Sequence, residues 1–489
     1  MKKELSGSLI DKIEFNKSIL YVASEVQPFC STGGLADVCG SLPNYLKREY
    51  EGSDIRVVLP LYKNMKIDRN ELTYVGNTYV NLSWRKEYCG VFSYNLNDIT
   101  YYFIDNEKYF KRDGYYGYMD DAERFAFFSR SVLDIFPIIN YYPDIIHAND
   151  WQTALVPVYL KTYNWNDDRY NNIKTVVTIH NIQYQGRFGR NLLTDVLGID
   201  SKYTTLLLHD NDVNFLKAGM LCADRVVTVS NSYAGEIQTY EGGFGLDSIA
   251  RNVSHKLTGI VNGLDYNFYN PRLDKSIWAN YDCNELDKKA KNKEELQKYF
   301  GLEIKPDAPI LSIVSRMVKN KGLDVVKATM EKIITSTDAQ FVAVGEGEKE
   351  YEDYFKYLNA KYPNKVHVSL GFSVDIGKKI YAGSDIFLMP SISEPCGISQ
   401  MIASKYGAVP IVREVGGLKD TIKDFGCPDG GNGYTFHDFN SNDFEYSIRR
   451  AISDYKDKEG WNKKVKIAMN MDFSWYRSMH KYVDIYKDM

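Results

Sequence analysis

Short runs of apolar and β-branched residues recur along the chain, and longer amphipathic segments separate them. Five runs lie in the first half, SILYVA, DIRVVLP, DIIHA, KTVVTIH and DRVVTVS, and five in the second, PILSIVS, QFVAVG, KVHVSLG, SDIFLMP and AVPIVRE. Segments such as DDAERFAFFSRSVLDIF and NKEELQKYFGL have the apolar spacing of helices. Continuous apolar strands that alternate with helices predict an α/β fold with doubly wound parallel sheets, covered on both faces.

This alternation is interrupted near residue 262, where the chain loses its periodicity, and strands resume at about residue 308. The two halves share a feature, because GGLAD at 33–37 and GGLKD at 416–420 each follow an apolar strand. Ligands of doubly wound sheets bind beyond the carboxyl ends of the strands, so we expect two similar domains that meet across a cleft lined by both glycine turns. From spacing alone, Gly416 and Gly417 could equally close an ordinary turn.

Composition narrows the class of protein. The 489 residues, 44% hydrophobic and 25% charged, are typical of a globular chain with two domains. A net charge of −4 gives no general attraction for nucleic acid or an anionic membrane, and neither is an expected partner. Seven scattered cysteines without a CxxC pair indicate neither a disulfide framework nor a zinc site. We expect a cytoplasmic protein, since no signal peptide, transit peptide or membrane span is evident.

Charged side chains follow two strands of the second half. Arg316 and Lys321 come directly after PILSIVS and suit a diphosphate, because Arg offers a planar fork and Lys a point charge. Glu394 lies in the SEPCGIS turn after SDIFLMP, where a carboxylate suits sugar hydroxyls or positive charge at an anomeric carbon. Gly397 and Ser399 could offer backbone N–H groups to a phosphate. A solvated basic turn and helix capping are the simpler explanations.

The first half contributes a glycine turn without a cation. Gly33 and Gly34, in FCSTGGLADVCGSLP, allow a ligand to approach the backbone at a helix start, yet this stretch has no Lys or Arg. The Arg and Lys of the second half could supply the missing charge. The acidic clusters at 119–121 and 210–212 follow no clear strand, so we interpret them as turn or cap residues and expect no metal.

Two further strands of the first half end in polar residues. His180 and Asn181 follow KTVVTI, with Tyr184 close behind. Asp150 and Trp151 follow DIIHAN and place an acid beside an aromatic ring, a pair that suits a sugar. A packed histidine and a helix cap explain the same residues equally well.

Nine motifs, taken in order, resemble bacterial glycogen synthases and plant starch synthases. They are STGGLADVCGSLP, HANDWQTALVPVYLK, VTIHNIQYQGRF, NFLKAGMLCADRVVTVS, VNGLDYNFYNP, SRMVKNKGLD, SEPCGISQM, GGLKDT and MDFSWYRSMHKYVDIY. The resemblance runs from about residue 18 to the end. It implies the GT-B architecture, with Rossmann-like domains at 1–262 on the acceptor side and 263–470 on the donor side, and a helix at 471–489 that crosses back to the first domain.

The resemblance also implies an activity, the transfer of glucose from ADP-glucose, or in some members UDP-glucose, to the non-reducing 4-hydroxyl of an α-1,4-glucan. The acceptor would be glycogen, starch or a malto-oligosaccharide, and the reaction would retain configuration and use no metal or other cofactor. On the donor side, Arg316 and Lys321 would neutralise the diphosphate, and Glu394 would stabilise the oxocarbenium-like transition state. Phe372 would stack on the base, and Cys396 falls at the family's active-site cysteine.

The resemblance implies that His180 contacts the glucose, chiefly near its 6-hydroxyl and through the His180 backbone carbonyl. It also implies that Asp37 and Asp150 line the sugar and acceptor side. The remaining predicted contacts are Ser31, Gly33, Gly34, Asn181, Tyr184, Gly397, Ile398, Ser399, Gly416 and Gly417.

Two positions depart from the family pattern. Ser31 stands where relatives have Lys, and Val415 stands where most have Thr. These changes leave open an alternative, a weakly active or non-catalytic glucan-binding protein of the same fold. A related GT-B enzyme that makes a small glucoside is disfavoured by the full-length register of the motifs. The sequence leaves undecided the donor base, the oligomeric state, whether the product is soluble or granule-bound, and the order of residues 1–17.

Overall fold

The computed structural model describes residues 15–371 and 373–489. The question of the first fourteen residues and the prediction for Phe372 therefore lie outside the described residues. The chain divides into two compact units. Unit 1 comprises the described residues up to Thr228 together with Gly235–Ile260 and Ser478–Met489, and unit 2 comprises Val229–Ala234 and Val261–Arg477.

Unit 1 is built on a mixed sheet. In chain order its strands are β1 (Ser18–Val22), β2 (Asp54–Pro60), β3 (Thr73–Leu82), β4 (Arg85–Leu96), β5 (Ile99–Asp105), β6 (Ile145–Asn149), β7 (Lys174–Ile179), β8 (Arg187–Phe188), β9 (Leu208–His209), β10 (Asp212–Asn214), β11 (Arg225–Thr228) and β12 (Leu257–Gly259). Among the described residues they form a large sheet in the order β12-β11-β7-β6-β1-β2-β5-β4-β3 and a small antiparallel sheet, β8-β10-β9. In the large sheet, β2 and β5 are added on one side of β1, and β6, β7, β11 and β12 on the other, so the direction of winding reverses between β1 and β6.

One edge of this sheet departs from the parallel prediction, because β4 pairs antiparallel with both β3 and β5. Two-residue turns join these strands, and such turns can connect only antiparallel neighbours. Asn97 and Asp98, between β4 and β5, both have positive φ, at 54° and 60°. That conformation is typical of a hairpin turn and is accessible to Asn and Asp. The NLNDIT sequence therefore contains a hairpin signal that a pattern of continuous apolar runs does not include.

Helices of unit 1 connect these strands. They are α1 (Gly34–Glu49), α2 (Glu107–Phe110), α3 (Asp121–Asp134), α4 (Phe136–Ile139), α5 (Leu155–Thr162), α6 (Thr204–Leu207), α7 (Phe215–Cys222), α8 (Asn231–Glu236, which begins in unit 2) and α9 (Asp247–Asn252). Short 3₁₀ segments occur at Arg69–Glu71, Asp168–Asn172, Ser201–Tyr203 and Ser254–Lys256, and a π turn at Leu193–Leu197.

Unit 2 contains a wholly parallel sheet. Its strands are β13 (Ile310–Val314), β14 (Gln340–Gly345), β15 (Val366–Leu370), β16 (Ile386–Met389), β17 (Val409–Arg413) and β18 (Tyr434–Phe436). Among the described residues their order is β15-β14-β13-β16-β17-β18. Numbered within the unit this is 3-2-1-4-5-6, the order of a Rossmann fold, and the direction of winding reverses between β13 and β16.

The helices that follow in the chain are α10 (Leu286–Phe300), α11 (Leu323–Ser336), α12 (Lys349–Lys361), α13 (Val374–Gly383), α14 (Ser399–Lys405), α15 (Gly416–Thr421), α16 (Ser441–Tyr455), α17 (Lys458–Asn470) and α18 (Trp475–Lys487). A 3₁₀ turn occupies Lys319–Lys321. No helix in the described part of the chain has the length and apolar character that crossing a membrane requires.

The ten apolar runs all contain strands, β1, β2, β6, β7 and β11 in unit 1 and β13 to β17 in unit 2, and both amphipathic segments contain helices, α3 and α10. All ten predicted strands are present, and nine of them are buried almost throughout. The exception is β15 at the edge of its sheet, where only Val366 is buried and Leu370 is exposed. Ile19, Val57 and Ile146 in unit 1 are 0% exposed, as are Leu311 and Val342 in unit 2. A strand buried on both faces needs a continuous apolar sequence.

The last residues of the chain are fixed to the sheet of unit 1. The Tyr486 hydroxyl lies 2.5 Å from the Tyr21 hydroxyl and 2.7 Å from His147 Nδ1. Burial lowers the pKa of His147 to about 3, so the imidazole is neutral and can share these hydrogen bonds without a buried charge. This buried polar group fixes the position of α18 on β1 and β6.

Candidate active site

The predicted residues of unit 1 follow strands on both sides of its switch point. The loop after β1 carries Ser31, Gly33 and Gly34, whereas Asp150 directly follows β6 and His180 directly follows β7. Strand order reverses between β1 and β6, and ligands of doubly wound sheets bind at that reversal. The fold therefore places these residues at the end of the sheet where a ligand site is expected.

Helix α1 begins at Gly34, directly after the glycine turn. Gly33 precedes the helix in extended conformation, and no side chain caps the first turn. Both glycines are exposed and Ser31 is half-buried. Uncapped N–H groups at the start of a 16-residue helix suit hydroxyl or anionic ligands.

Asp37 lies in the first turn of α1 and its side chain is exposed. Partial desolvation by the surrounding protein and, secondly, the negative charge of Glu25 raise the pKa of Asp37 to about 6. A carboxyl group with this pKa changes its charge close to neutral pH. Desolvation and, to a smaller extent, the charge of Glu25 therefore set the pKa of Asp37.

Asp150 and His180 are bonded to each other through the backbone. Asp150 Oδ1 accepts the N–H of His180 at 2.7 Å, and the backbone of Asn181 also bonds this carboxyl group. Burial raises the pKa of Asp150 to about 7 against the effect of these bonds. Asp150 itself has a positive φ of 58°. The carboxyl group thus fixes the strand end that carries His180.

The imidazole of His180 is neutral, because burial lowers its pKa to about 3. Its Nε2 lies 3.0 Å from Asn149 Oδ1. The Asn149 amide nitrogen donates to Val22 O at 3.2 Å and to His147 O at 3.3 Å, which leaves Oδ1 as an acceptor. Nε2 therefore carries the proton, and Nδ1 is an acceptor. Sequence analysis did not identify Asn149, although it directly precedes Asp150.

Asn181 and Tyr184 complete the predicted residues of this unit. Asn181 Oδ1 accepts the N–H of Gln183 at 3.0 Å in a local turn. Tyr184 is 57% exposed. An exposed tyrosine beside a ligand loop offers a flat apolar face and a hydroxyl to a sugar.

In unit 2, Arg316 and Lys321 follow β13 at the switch point. Arg316 is exposed, and its guanidinium has no hydrogen-bond partner among the described residues. Gly322, next to Lys321, has φ of 71°, and a Cβ there would lie 1.8 Å from the Pro390 carbonyl oxygen. Only glycine permits this approach of the β13 turn to the segment after β16.

Glu394, after β16, is paired with Lys321. Lys321 Nζ donates to Glu394 Oε2 at 2.6 Å, and Ser391 Oγ donates to the same oxygen at 3.0 Å. The two charged side chains are 19% and 11% exposed. Asn320 connects the turn after β13 to the turn after β16. Its side-chain amide donates to Ser393 O at 3.0 Å, and its backbone carbonyl accepts the N–H of Ile392 at 2.9 Å. Sequence analysis did not identify Ser391 and Asn320.

The second glycine pair packs against the segment that carries Glu394. The N–H of Gly417 donates to Glu394 O at 3.1 Å. A Cβ at Gly416, where φ is 43°, would lie 2.2 Å from Glu394 O, and one at Gly417 would lie 2.2 Å from Cys396 O. The glycines are therefore required for close packing, and they support the carboxylate from behind.

The rest of the predicted donor segment continues into α14. Burial raises the pKa of the Cys396 thiol to about 12, so it is not a thiolate near neutral pH. Gly397 has φ of 75°, Ile398 precedes the helix, and Ser399 hydrogen-bonds the Tyr381 hydroxyl. Contact of these residues with a ligand stays a prediction.

Comparisons with known proteins agree with this geometry. A family model described as the starch synthase catalytic domain matches residues 18–252, and one described as glycosyl transferases group 1 matches residues 295–467. The chain is 47% identical to a glycogen synthase of Desulforamulus reducens over 475 residues, 96% of this chain and 98% of that protein. It is 46% identical to one of Clostridium beijerinckii over 476 residues, 96% of this chain and 99% of that protein.

Solved structures give the same result. The catalytic domain of starch synthase IV from Arabidopsis thaliana, solved with ADP and acarbose bound, matches with a TM-score of 0.88 and 31% identity, covering 97% of this chain and 99% of that one. Sucrose-phosphate synthase from Thermosynechococcus elongatus matches with a TM-score of 0.62 and 15% identity, covering 96% and 98%, which shows the fold alone. The fold and these matches define a glycosyltransferase with two parallel-sheet α/β domains of the GT-B class.

The chain belongs to the glycogen synthase and starch synthase family. The predicted family, fold class and enzyme class, a hexosyltransferase, are confirmed.

Proposed function

We propose that the protein transfers glucose from ADP-glucose to the non-reducing 4-hydroxyl of an α-1,4-glucan with retention of configuration. The Lys321–Glu394 pair carries this proposal, because it places a cation and a carboxylate 2.6 Å apart at the switch point of unit 2. A nucleotide sugar has a diphosphate next to an anomeric carbon. The negative diphosphate is bound by a cation, and the positive charge that develops at the anomeric carbon is stabilised by a carboxylate. The glycogen synthases among the relatives, and the ADP on the similar plant enzyme, support this donor and product.

Lys321 and Arg316 would bind the diphosphate. A lysine ammonium has three protons to donate, so Lys321 can hold Glu394 and still contact a phosphate oxygen. The exposed guanidinium of Arg316 adds a planar fork for a second phosphate contact. Together the two cations would stabilise the charge that builds up on the departing ADP.

Glu394 would act on the sugar. Its Oε2 is occupied by Lys321 and Ser391, whereas Oε1 has no hydrogen-bond partner within the described residues. In the transfer, the bond from C1 to the phosphate oxygen breaks and the bond from C1 to O4 of the acceptor forms. A carboxylate near C1 stabilises the positive charge that develops between these events.

The proton of the acceptor hydroxyl would pass to a phosphate oxygen of the leaving group on the same face of the sugar. Two observations support this route. His180 has a pKa of about 3 and is a poor base near neutral pH, and the Cys396 thiol, with a pKa of about 12, is a poor nucleophile. Neither side chain is suited to take the proton or to form a covalent intermediate.

The residues of unit 1 would bind the sugars. Gly33 and Gly34 offer backbone N–H groups, and Asp37 and the Nδ1 of His180 offer acceptors for hydroxyl protons. Asn181, Tyr184 and Ser31 would add contacts to the glucan. Asp150 would support this surface through its bonds to the backbone of His180 and Asn181.

The weakly active alternative rests on Ser31 and Val415. Val415 precedes α15, where no side chain caps the helix, so the hydroxyl that most relatives have there is absent.

Initial rates of glucose incorporation into glycogen from ADP-glucose and from UDP-glucose, measured side by side, test the proposal. Faster incorporation from ADP-glucose supports it, and no incorporation from either donor contradicts it. The cytoplasmic location stays a prediction.

A further inference from the structure

A buried acid next to the glycine turn has no role in the function proposed above. Glu25 lies just after β1 and is 3% exposed. Its Oε1 accepts the Thr32 hydroxyl at 2.7 Å and the Tyr116 hydroxyl at 2.6 Å. The backbone N–H of Thr32 donates to Oε2. Glu25 therefore bonds both the backbone and the side chain of the residue that directly precedes Gly33.

We propose that Glu25 is a positioning residue for glucose transfer, which fixes the turn 31–34 in the conformation that binds sugar. This inference rests on the proposed function, since it assumes that the turn contacts the substrates. Glu25 acts through Thr32 and touches no reacting atom.

The hydrogen bonds of Glu25 favour a single conformation of the turn 31–34. A buried carboxylate is stable only when hydrogen bonds or cations replace the water that it loses. Glu25 has no Lys or Arg within salt-bridge distance among the described residues, so hydrogen-bond donors carry that compensation. Two of these donors belong to Thr32. If Thr32 moved away, the buried carboxylate of Glu25 would lose two of its hydrogen bonds. This loss is unfavourable in free energy, so the carboxylate keeps Thr32, and with it the turn, in place.

The contacts of Tyr116 extend this support to a second loop. The Tyr116 hydroxyl lies 2.8 Å from Ser24 Oγ and also donates to Glu25. Tyr116 belongs to the segment between α2 and α3, so the acid joins that segment to the glycine turn. The turn itself has open space beside Gly33, where a Cβ would meet no atom within 4 Å. The space beside Gly33 gives that part of the turn no packing support, so the hydrogen bonds of Thr32 to Glu25 help it keep one conformation.

Glu25→Gln tests the proposal, because glutamine keeps the size of the side chain but has one acceptor oxygen in place of two. Thr32→Ser is the matched control, since serine keeps both the N–H and the hydroxyl. We expect Glu25→Gln to lower kcat/KM for glycogen about 100-fold, the effect of displacing a substrate contact by about 1 Å. ADP affinity, which the proposal assigns to unit 2, should not change in Glu25→Gln. Thr32→Ser controls for the anchor itself and is compared by the exchange measurement below.

Amide hydrogen exchange at Thr32 to Gly34 gives a readout that does not depend on activity. Exchange should be faster in Glu25→Gln and unchanged in Thr32→Ser. Unchanged exchange, or unchanged kcat/KM in an active enzyme, would overturn the proposal. Equal losses of ADP affinity, glucan transfer and melting temperature would also overturn it, since they indicate general destabilisation. An inactive wild type with faster exchange in Glu25→Gln would instead reject the proposed function and leave the anchor in place.

Discussion

The ion pair between Lys321 and Glu394 makes a prediction in which stability and activity respond differently to two substitutions. Glu394→Gln keeps the shape of the side chain and an oxygen that can accept from Lys321 and Ser391, but it removes the negative charge. Lys321→Ala removes the cation and leaves the carboxylate with Ser391 Oγ, at 3.0 Å, as its hydrogen-bond donor in the described structure. Glu394 is only 8% exposed, so water can replace the ammonium poorly.

The magnitudes follow from this burial. Removal of one partner from a buried ion pair costs about 3–5 kcal/mol, and the lower value applies because Lys321 is 19% exposed. A loss of about 3 kcal/mol lowers the melting temperature of a domain of this size by about 6–12 °C. Glu394→Gln should cost about 1 kcal/mol, the contribution of a weakened hydrogen bond. Its effect falls on catalysis, where loss of a preorganised charge lowers kcat about 100- to 1,000-fold.

Melting curves and initial rates with ADP-glucose, for both variants and the double variant, test this reasoning. Glu394→Gln should lower kcat with little change in KM for ADP-glucose, whereas Lys321→Ala should also raise that KM. The double variant should be about as inactive as the worse single variant, because residues that act as a unit are not additive. Retention of more than about a tenth of kcat in Glu394→Gln, against the loss expected from a missing preorganised charge, would refute the role of the carboxylate.

Three further predictions concern other positions. Burial raises the pKa of Asp150 in the folded protein to about 7, whereas the pKa in the unfolded chain is about 3.9. Between these pH values the folded protein binds more protons than the unfolded chain, so its stability falls as the pH rises from about 4 to about 7. Asp150→Asn should therefore gain melting temperature over the wild type from pH 4 to pH 7, and a constant difference would contradict this. Gly322→Ala, whose Cβ would lie 1.8 Å from Pro390 O, should lower the free energy of unfolding in urea by about 3 kcal/mol. Gly301→Ala, where φ is 68° and the space is open, should lower it by about 1 kcal/mol. Equal losses in the two variants would count against close packing at Gly322. Ser31→Lys should raise kcat/KM less than about tenfold, because a half-exposed charge contributes about 1 kcal/mol, and a gain of several orders of magnitude would favour the weakly active alternative.

The parallel core of both units could be predicted from the sequence because burial on both faces leaves a continuous apolar run. The antiparallel strands β3 and β4, of which β3 is the edge of the sheet, could not be found in that way. TYVGNTYVNL in β3 has few buried residues, with Val80 and Leu82 buried near its end and Tyr79 exposed. Such a strand is identified by its hairpin turns more readily than by its hydrophobicity.

For the candidate site, the sequence could predict which residues follow strands but not which of them touch. Lys321 and Glu394 are 73 residues apart, and they meet because β13 and β16 are neighbours in the sheet. Asn149 and Glu25 have no local pattern, since their roles depend on hydrogen bonds to distant residues such as His180 and Tyr116. Polar residues that support a site are recognisable only when the packed structure is known.

Transfer of labelled glucose from ADP-glucose to a malto-oligosaccharide, with analysis of the product linkage by NMR, tests the central claim most directly. The account predicts chains lengthened by one glucose at a time at the non-reducing end, each new residue joined by an α-1,4 bond, and greatly reduced lengthening in Glu394→Gln. A β-linked product, a small glucoside in place of a lengthened chain, or wild-type lengthening by Glu394→Gln would contradict it.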